Sequence, residues 1–327
     1  MQPLAYGRAS DVSSAVRHVA GARGAEFIAG GTDMLQLLQE RVRTPAELID
    51  INRLPLSGID VGPEGLRIGA LARMADVADD RRVRERCPVI AEALLASASA
   101  QVRNMASIGG NLLQRTRCLY FRDVVTPCNK REPGSGCSAR DGKNRLNAIL
   151  GGSEDCIATY PGDLAVALVA VDAIVHIQGV RGDRTVPIDE LHRLPGETPH
   201  IETVLEPGDL VTAVSIPDSA HARRSHYLKV RDRASFEFAL ASAAVALDLD
   251  GRTIRDARVA VGGVATKPWR LVEVEHLLRG RPVSADVFRM AAERAADGAQ
   301  PQAHNAFKAT LLTRTVARAL TTVGSGA

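Results

Sequence analysis

Four of the chain's five cysteines, Cys118, Cys128, Cys137 and Cys156, fall within one 39-residue stretch whose other residues are largely those of loops. From Arg115 to Cys156 the segment is rich in Gly, Pro, Ser, Asn and Arg, too polar to bury the apolar surface that ordering a chain requires. Something other than a hydrophobic core must hold it, and four thiolates converging on one centre would do so. The spacing is C-x9-C-x8-C-x18-C, without the paired C-x2-4-C knuckles of structural zinc sites. Disulfides suit small secreted scaffolds, which the rest of the chain does not resemble, and an odd total precludes complete internal pairing. An iron–sulfur cluster and four free thiols both stay open on spacing alone. Residues 115–145 carry eight basic side chains (Arg115, Arg117, Arg122, Lys130, Arg131, Arg140, Lys143 and Arg145) against Asp123, Glu132 and Asp141. That excess would offset the negative charge of a four-thiolate cluster. Cys87, outside the loop and before Pro88, reads as a small buried hydrophobe.

Around this loop the chain is ordinary. Its 327 residues are enough for two or three domains, with 45% hydrophobic and 24% charged side chains typical of globular proteins. A net charge of +3 and an aromatic content of 3% argue against a nucleic-acid partner, which needs a basic footprint and rings for stacking. No N-terminal signal pattern is visible, and no window approaches the roughly 18 apolar residues of a membrane span. By its own sequence the chain reads as cytoplasmic, and export would depend on a partner carrying a signal.

Periodicity predicts a helix capped at Ala9-Ser10-Asp11 and running through Val19, a strand over Glu26–Ala29, a helix over Met34–Arg41 and a strand over Glu47–Ile51. Together these make a small βαβ-like unit with a glycine turn at the strand end. Further strands are expected at Leu66–Gly69, Ala173–Gln178 and Leu210–Ile216. A long buried helix is expected at Val83–Ala100 and another at Asp163–Val171. A composition change near Asp218-Ser219-Ala220 predicts a domain boundary. Beyond it, Ala241–Leu249 and Ala257–Val264 flank Asp250-Gly251 as an antiparallel pair, followed by helices at Val272–Leu278, Ala285–Ala295 and Ala306–Val323.

Three further motifs carry candidate chemistry. Ala29-Gly30-Gly31-Thr32-Asp33 stands at a strand-to-helix junction, where glycines allow positive φ and turn N–H groups to one point. A helix N-terminus adds positive character, so the turn suits a phosphate, with Thr32 as a further donor and Asp33 as helix cap; a plain capped turn is the alternative. Ser107-Ile108-Gly109-Gly110-Asn111, in a turn-rich stretch from Arg103, repeats the design and would clamp the other side of a dinucleotide, or would be an ordinary loop. Tyr227-Leu228-Lys229-Val230-Arg231 is a strand with two cations on one face, read first as a solvated face and second as a phosphate or flavin contact. The glycine turns are not G-x-G-x-x-G, which disfavours a nicotinamide site, and no hydrolase motif is present.

Taken together, FIAGGTDMLQLL (27–38), LRIGALARMADV (66–77), ASIGGNLLQ (106–114), YPGDLAVAL (160–168) and AVGGVATKPWR (260–270) resemble the FAD-binding (medium) subunits of the molybdenum hydroxylases, over nearly the whole chain. The Arg115–Cys156 insertion is similar to that of the bacterial periplasmic aldehyde oxidoreductase branch, whose flavin subunit carries an extra [4Fe-4S] cluster; the 4-hydroxybenzoyl-CoA reductase branch has a comparable one. The resemblance implies an α+β fold: a vanillyl-alcohol-oxidase-like (PCMH-type) FAD-binding domain of two subdomains over residues 1–218, including the cluster loop 115–156, and a C-terminal α+β flavoprotein domain over 219–327. It further implies that Phe27, Ile28, Ala29, Gly30, Gly31, Thr32, Asp33 and Met34 hold the FAD pyrophosphate side. Ser107, Ile108, Gly109, Gly110 and Asn111 would line the other side, with Asp163 and Lys229 as later contacts, and Cys118, Cys128, Cys137 and Cys156 would ligate the cluster. Gly162 stands where the family commonly has Ser, which would loosen the Asp163 contact without abolishing it. The implied role is an electron-transfer subunit of a heterotrimeric aldehyde oxidoreductase, with a large molybdenum-cofactor subunit, a small [2Fe-2S] subunit and an external electron acceptor. A xanthine dehydrogenase-like or hydroxybenzoyl-CoA reductase-like complex, a non-catalytic assembly subunit and a zinc-stabilised protein without flavin are the alternatives.

Overall fold

The computed structural model describes residues 3–325. The chain opens with β1 (Ala5–Arg8), a helix over Val12–Gly21, β2 (Ala25–Ile28), a helix over Met34–Gln39 and β3 (Glu47–Asp50). These strands form a parallel sheet in the order β1-β3-β2. Asp11 caps the first helix by accepting from Ser14 N at 2.8 Å, as the sequence predicts. Parallel pairing brings the C-terminal ends of β2 and β3 to one edge, and the Gly30-Gly31 turn sits there.

The second layer is antiparallel: β4 (Ile59–Gly62), β5 (Gly65–Gly69), β6 (Ile174–Gly179), β7 (Gly182–Pro187) and β8 (Leu210–Pro217), in the order β4-β5-β8-β6-β7. The largest core cluster joins β5, β6 and β8 to helices Pro88–Ala96 and Leu164–Val169. The long helix expected over Val83–Ala100 is broken: one helix ends at Arg86 and the next starts at Pro88. Proline lacks the N–H a continuous helix needs but suits a first helical position. Cys87 at the break is 1% exposed, and burial pushes its thiol up to about 12.

The third layer holds β9 (Ser225–Val230), β10 (Ala241–Asp250), β11 (Thr253–Gly262) and β12 (Trp269–Arg270), in the order β12-β11-β10-β9. The expected β10–β11 hairpin is present, with a register shift at Asp248/Leu249. Its strands are buried on both faces: Ala244 and Ala260 join the core of the second layer, while Val245, Leu247 and Val261 meet helices Val272–Leu278, Ala285–Ala292 and Phe307–Gly324. Alternation of side chains lets one strand serve two cores. No helix among the described residues is long and apolar enough to cross a membrane.

Candidate cofactor groove and cysteine loop

A groove of about 820 Å³ runs along the edge where β2 ends, within the range of ligand sites. The first glycine turn forms one wall. Gly31 has φ +72°, and a Cβ on Gly30 would lie 2.0 Å from the Met105 carbonyl oxygen, so the first turn packs on the Met105-Ala106 backbone that leads into the second. Ser107 begins a short helix, Ile108–Leu112, by accepting from Gly110 N at 3.3 Å, so this part of the turn-rich stretch is a capped helical turn. Gly109 packs on Ala70, whereas Gly110 faces open space apart from Ser107. Phe27 to Met34, Ser107, Gly109 and Gly110 all line the groove.

Four predicted residues lie elsewhere. Ile108 is 1% exposed in the core, and Asn111 is buried, its Nδ2 donating to Met74 Sδ while Oδ1 has no hydrogen-bond partner. Asp163 and Lys229 do come together, at 2.8 Å with both side chains under 10% exposed, but outside the groove lining. Asp163 also accepts from Ser97 Oγ at 2.8 Å and Tyr227 Oη at 2.6 Å, while Lys229 donates to the Ala96 carbonyl. The solvated face expected for β9 is therefore wrong at Lys229, because helix Pro88–Ala96 covers this strand. A Cβ at Gly162 would meet the Tyr160 hydroxyl at 2.5 Å, so the glycine makes room for that ring.

Asp33 stands at the N-cap of its helix, but its side chain makes no capping bond. Its carboxylate accepts from Arg115 N at 2.8 Å, from Arg117 and from Arg122 at 3.0 Å. Burial raises its pKa against the pull of these neighbours. Across the groove stands Glu202, a residue that sequence reading missed; the Glu206-Pro207-Gly208-Asp209 turn nearby was the available signal that the chain doubles back here. Glu202 pairs with Arg115 and, at 2.8 Å, with Lys130, which also donates to the Pro199 carbonyl. Burial alone would raise the Glu202 carboxyl, but Arg115 and Lys130 outweigh it and hold the group below its ordinary value.

The basic excess of the cysteine loop thus goes largely to carboxylates and carbonyls. Arg122 also reaches Glu40 at 3.0 Å, Arg140 pairs with Glu154, Arg145 with Asp232, and Arg131 donates to the Tyr120, Phe121 and Thr126 carbonyls. The other end of the loop is pinned by amides. Asn144, fully buried, donates to the Ala139 and Arg140 carbonyls and accepts from His304 N. Lys308, also fully buried, donates to the carbonyls of Leu146, Asn147 and Gly263.

All four loop cysteines line one small cavity, beside Lys130. Cys128 and Cys137 form a β-bridge, Asn147 Nδ2 donates to Cys118 Sγ at 3.6 Å, and Ala158 N donates to Cys156 Sγ at 3.4 Å. Burial pushes the Cys156 thiol up to about 12, with Lys130 pulling the other way. Among the described residues no group of three or more His, Cys, Asp or Glu is arranged to hold a metal ion.

Residues 2–219 match the family model for the FAD binding domain in molybdopterin dehydrogenase, and residues 226–323 match that for the CO dehydrogenase flavoprotein C-terminal domain. The chain belongs to the FAD-binding medium subunits of the molybdenum hydroxylase family, a family of oxidoreductases. It is 45% identical to the aldehyde oxidoreductase FAD-binding subunit PaoB of Escherichia coli K12, over 98% of both chains. It is 27% identical to the glyceraldehyde dehydrogenase medium chain of Sulfolobus acidocaldarius, over 91% of this chain and 89% of that one. Among solved structures, carbon monoxide dehydrogenase from Hydrogenophaga pseudoflava matches with a TM-score of 0.77 at 25% identity, covering 99% of each chain. Quinoline 2-oxidoreductase from Pseudomonas putida 86 has the same fold, with a TM-score of 0.77 at 21% identity over 99% of this chain and 98% of that one. The two-part flavoprotein fold expected from the sequence is therefore the fold of the chain.

Proposed function

We propose that this chain is the FAD- and [4Fe-4S]-containing electron-transfer subunit of a heterotrimeric, molybdenum-dependent aldehyde oxidoreductase. Its partners would be a large molybdenum-cofactor subunit and a small subunit with [2Fe-2S] clusters, from which it takes electrons for delivery to an external acceptor. The observation that carries this reading is the pair of glycine turns lining one wide groove, in a chain similar end to end to an aldehyde oxidoreductase FAD-binding subunit. The domains would be 1–218 and 219–327. Bound FAD would supply exchange between one-electron and two-electron carriers. The residues present fit it: Gly30 to Met34 offer backbone N–H groups at a helix start, and Gly110 leaves backbone open to a ligand. Asp163 and Lys229 would act from behind the site, tying helix Pro88–Ala96 to β9.

Cys118, Cys128, Cys137 and Cys156 would ligate the cluster. A four-iron cluster takes one thiolate at each iron, so its ligands stand further apart than those of a single ion. Four cysteines around a common cavity, two of them receiving hydrogen bonds at sulfur, suit that donor set. The purified protein should show flavin absorption over a broad cluster shoulder, with one FAD and about four irons per chain. About two irons, or none, overturns the cluster; a colourless preparation overturns both cofactors.

A further inference from the structure

The cysteine loop touches both walls of the groove, through different cations. On one wall, Arg117 and Arg122 converge on Asp33, inside the first glycine turn. On the other, Arg115 and Lys130 converge on Glu202. Asp33, Arg115 and Glu202 line the groove, and Lys130 lines the cysteine cavity. A small chamber of about 40 Å³ between them is lined in part by Lys130, Cys156 and Glu202 together. The Lys130–Glu202 pair is thus one bond with one partner at each site.

We infer that Lys130 and Glu202 are positioning residues that couple the two cofactor sites, so that filling the cysteine cavity tightens FAD binding in the groove. This rests on the cofactor assignment proposed above. The physical basis is linkage. A cavity filled by a rigid centre fixes the backbone around Cys128 and hence Lys130, which lies two residues on. Lys130 fixes Glu202, and Glu202 with Arg115 fixes the wall facing the Asp33 turn. Ordering done by one ligand need not be done again by the next, and the coupling is reciprocal. The Lys130 side chain is 10% exposed and that of Arg115 15%, so water screens these links less than surface pairs.

The test uses the full-length protein in the complex in which it purifies. FAD affinity is read by flavin fluorescence on titration into flavin-stripped protein, with iron content measured in parallel. Lys130→Met should weaken FAD binding about tenfold, within the usual span of such couplings, while Lys130→Arg should keep it near wild type. Arg140→Ala, which loses only links inside the loop, should leave FAD affinity unchanged. Removing iron with a chelator should weaken FAD binding in the wild type by a similar factor and add little in Lys130→Met. If the wild type carries iron and flavin, yet neither chelation nor Lys130→Met alters FAD affinity, the coupling is overturned and the cofactor assignment stands. A wild type without iron overturns the cofactor assignment itself. Should Lys130→Met not fold, chelation of the wild type decides: unchanged FAD affinity after iron loss overturns the coupling.

Discussion

The C-terminal layer and the cysteine loop are ordered by opposite means. In the first, Ala243, Val245, Val259, Val261, Leu312 and Leu320 are all fully buried around a two-sided sheet. In the loop, one aromatic ring, Phe121, is fully buried with Leu37 and Cys128, and Arg115 lies over it at 4.8 Å. Ile149 and Leu150, near the loop's end, join the core of the C-terminal layer, and the rest is held largely by guanidinium groups, amides and Lys130. A hydrophobic core holds no charges for salt to screen or pH to titrate, whereas a polar lattice answers to both. The loop can therefore respond to its ligands while the layer behind it stays fixed.

The largest effect should come from the core. Leu320→Ala removes a fully buried side chain and should cost about 2–5 kcal/mol in chemical denaturation, with flavin and iron per folded chain unchanged. Loss of either cofactor from the folded variant would break the comparison, because the two regions would then share one stability.

Lys308 stands at the joint between them. Burial pushes its ammonium down to about 7 from an ordinary 10.5. Between those values the unfolded chain binds a proton that the folded chain has lost, so this group's contribution to stability rises with pH across the window. Lys308→Met abolishes that slope and leaves the Leu146, Asn147 and Gly263 carbonyls without their donor, a loss of about 1–3 kcal/mol at alkaline pH. Melting of both proteins from pH 6.5 to 9.5 should show a gap that widens with pH. A constant gap would mean that Lys308 keeps its charge.

The sequence made one kind of information legible and hid another. The β2–turn–helix unit, the β10–β11 hairpin and the three C-terminal helices rest on local signals, a cap, a glycine or an apolar period, and these are found where expected. The break at Cys87 was also written locally, in Pro88, but the apolar run around it masked the signal. β7 escaped because its six residues alternate between exposed and intermediate, with no buried apolar period to read. The site was half legible for a related reason. Glycine turns announce themselves, but the partners of Asp33 lie 82 to 89 residues away and Lys229 meets Asp163 across 66. A run of basic residues reads the same whether it faces solvent, a cluster or a distant carboxylate, and only the fold decides among them.

The smallest effect expected is also the most direct measure of the contrast. At about 1 M salt the screening length falls to about 3 Å, so the loop's more exposed links, Arg122 to Glu40 and Arg140 to Glu154, should weaken in part, and the more buried links to Asp33 and Glu202 less. Each is worth at most about 1 kcal/mol when partly exposed. Trypsin cleavage at Arg117, Arg122 and Lys130 should therefore quicken on the order of threefold between low and high salt, the size of effect that partial loss of such pairs allows. Cleavage at Arg314 and Arg318, on the long helix packed over β10, should not quicken, because apolar contact holds that helix. Equal acceleration at both places would mean that salt opens the whole chain and that the loop has no separate polar tether. No change at the loop sites would shift the weight of holding it to Phe121, the buried asparagines and Lys308.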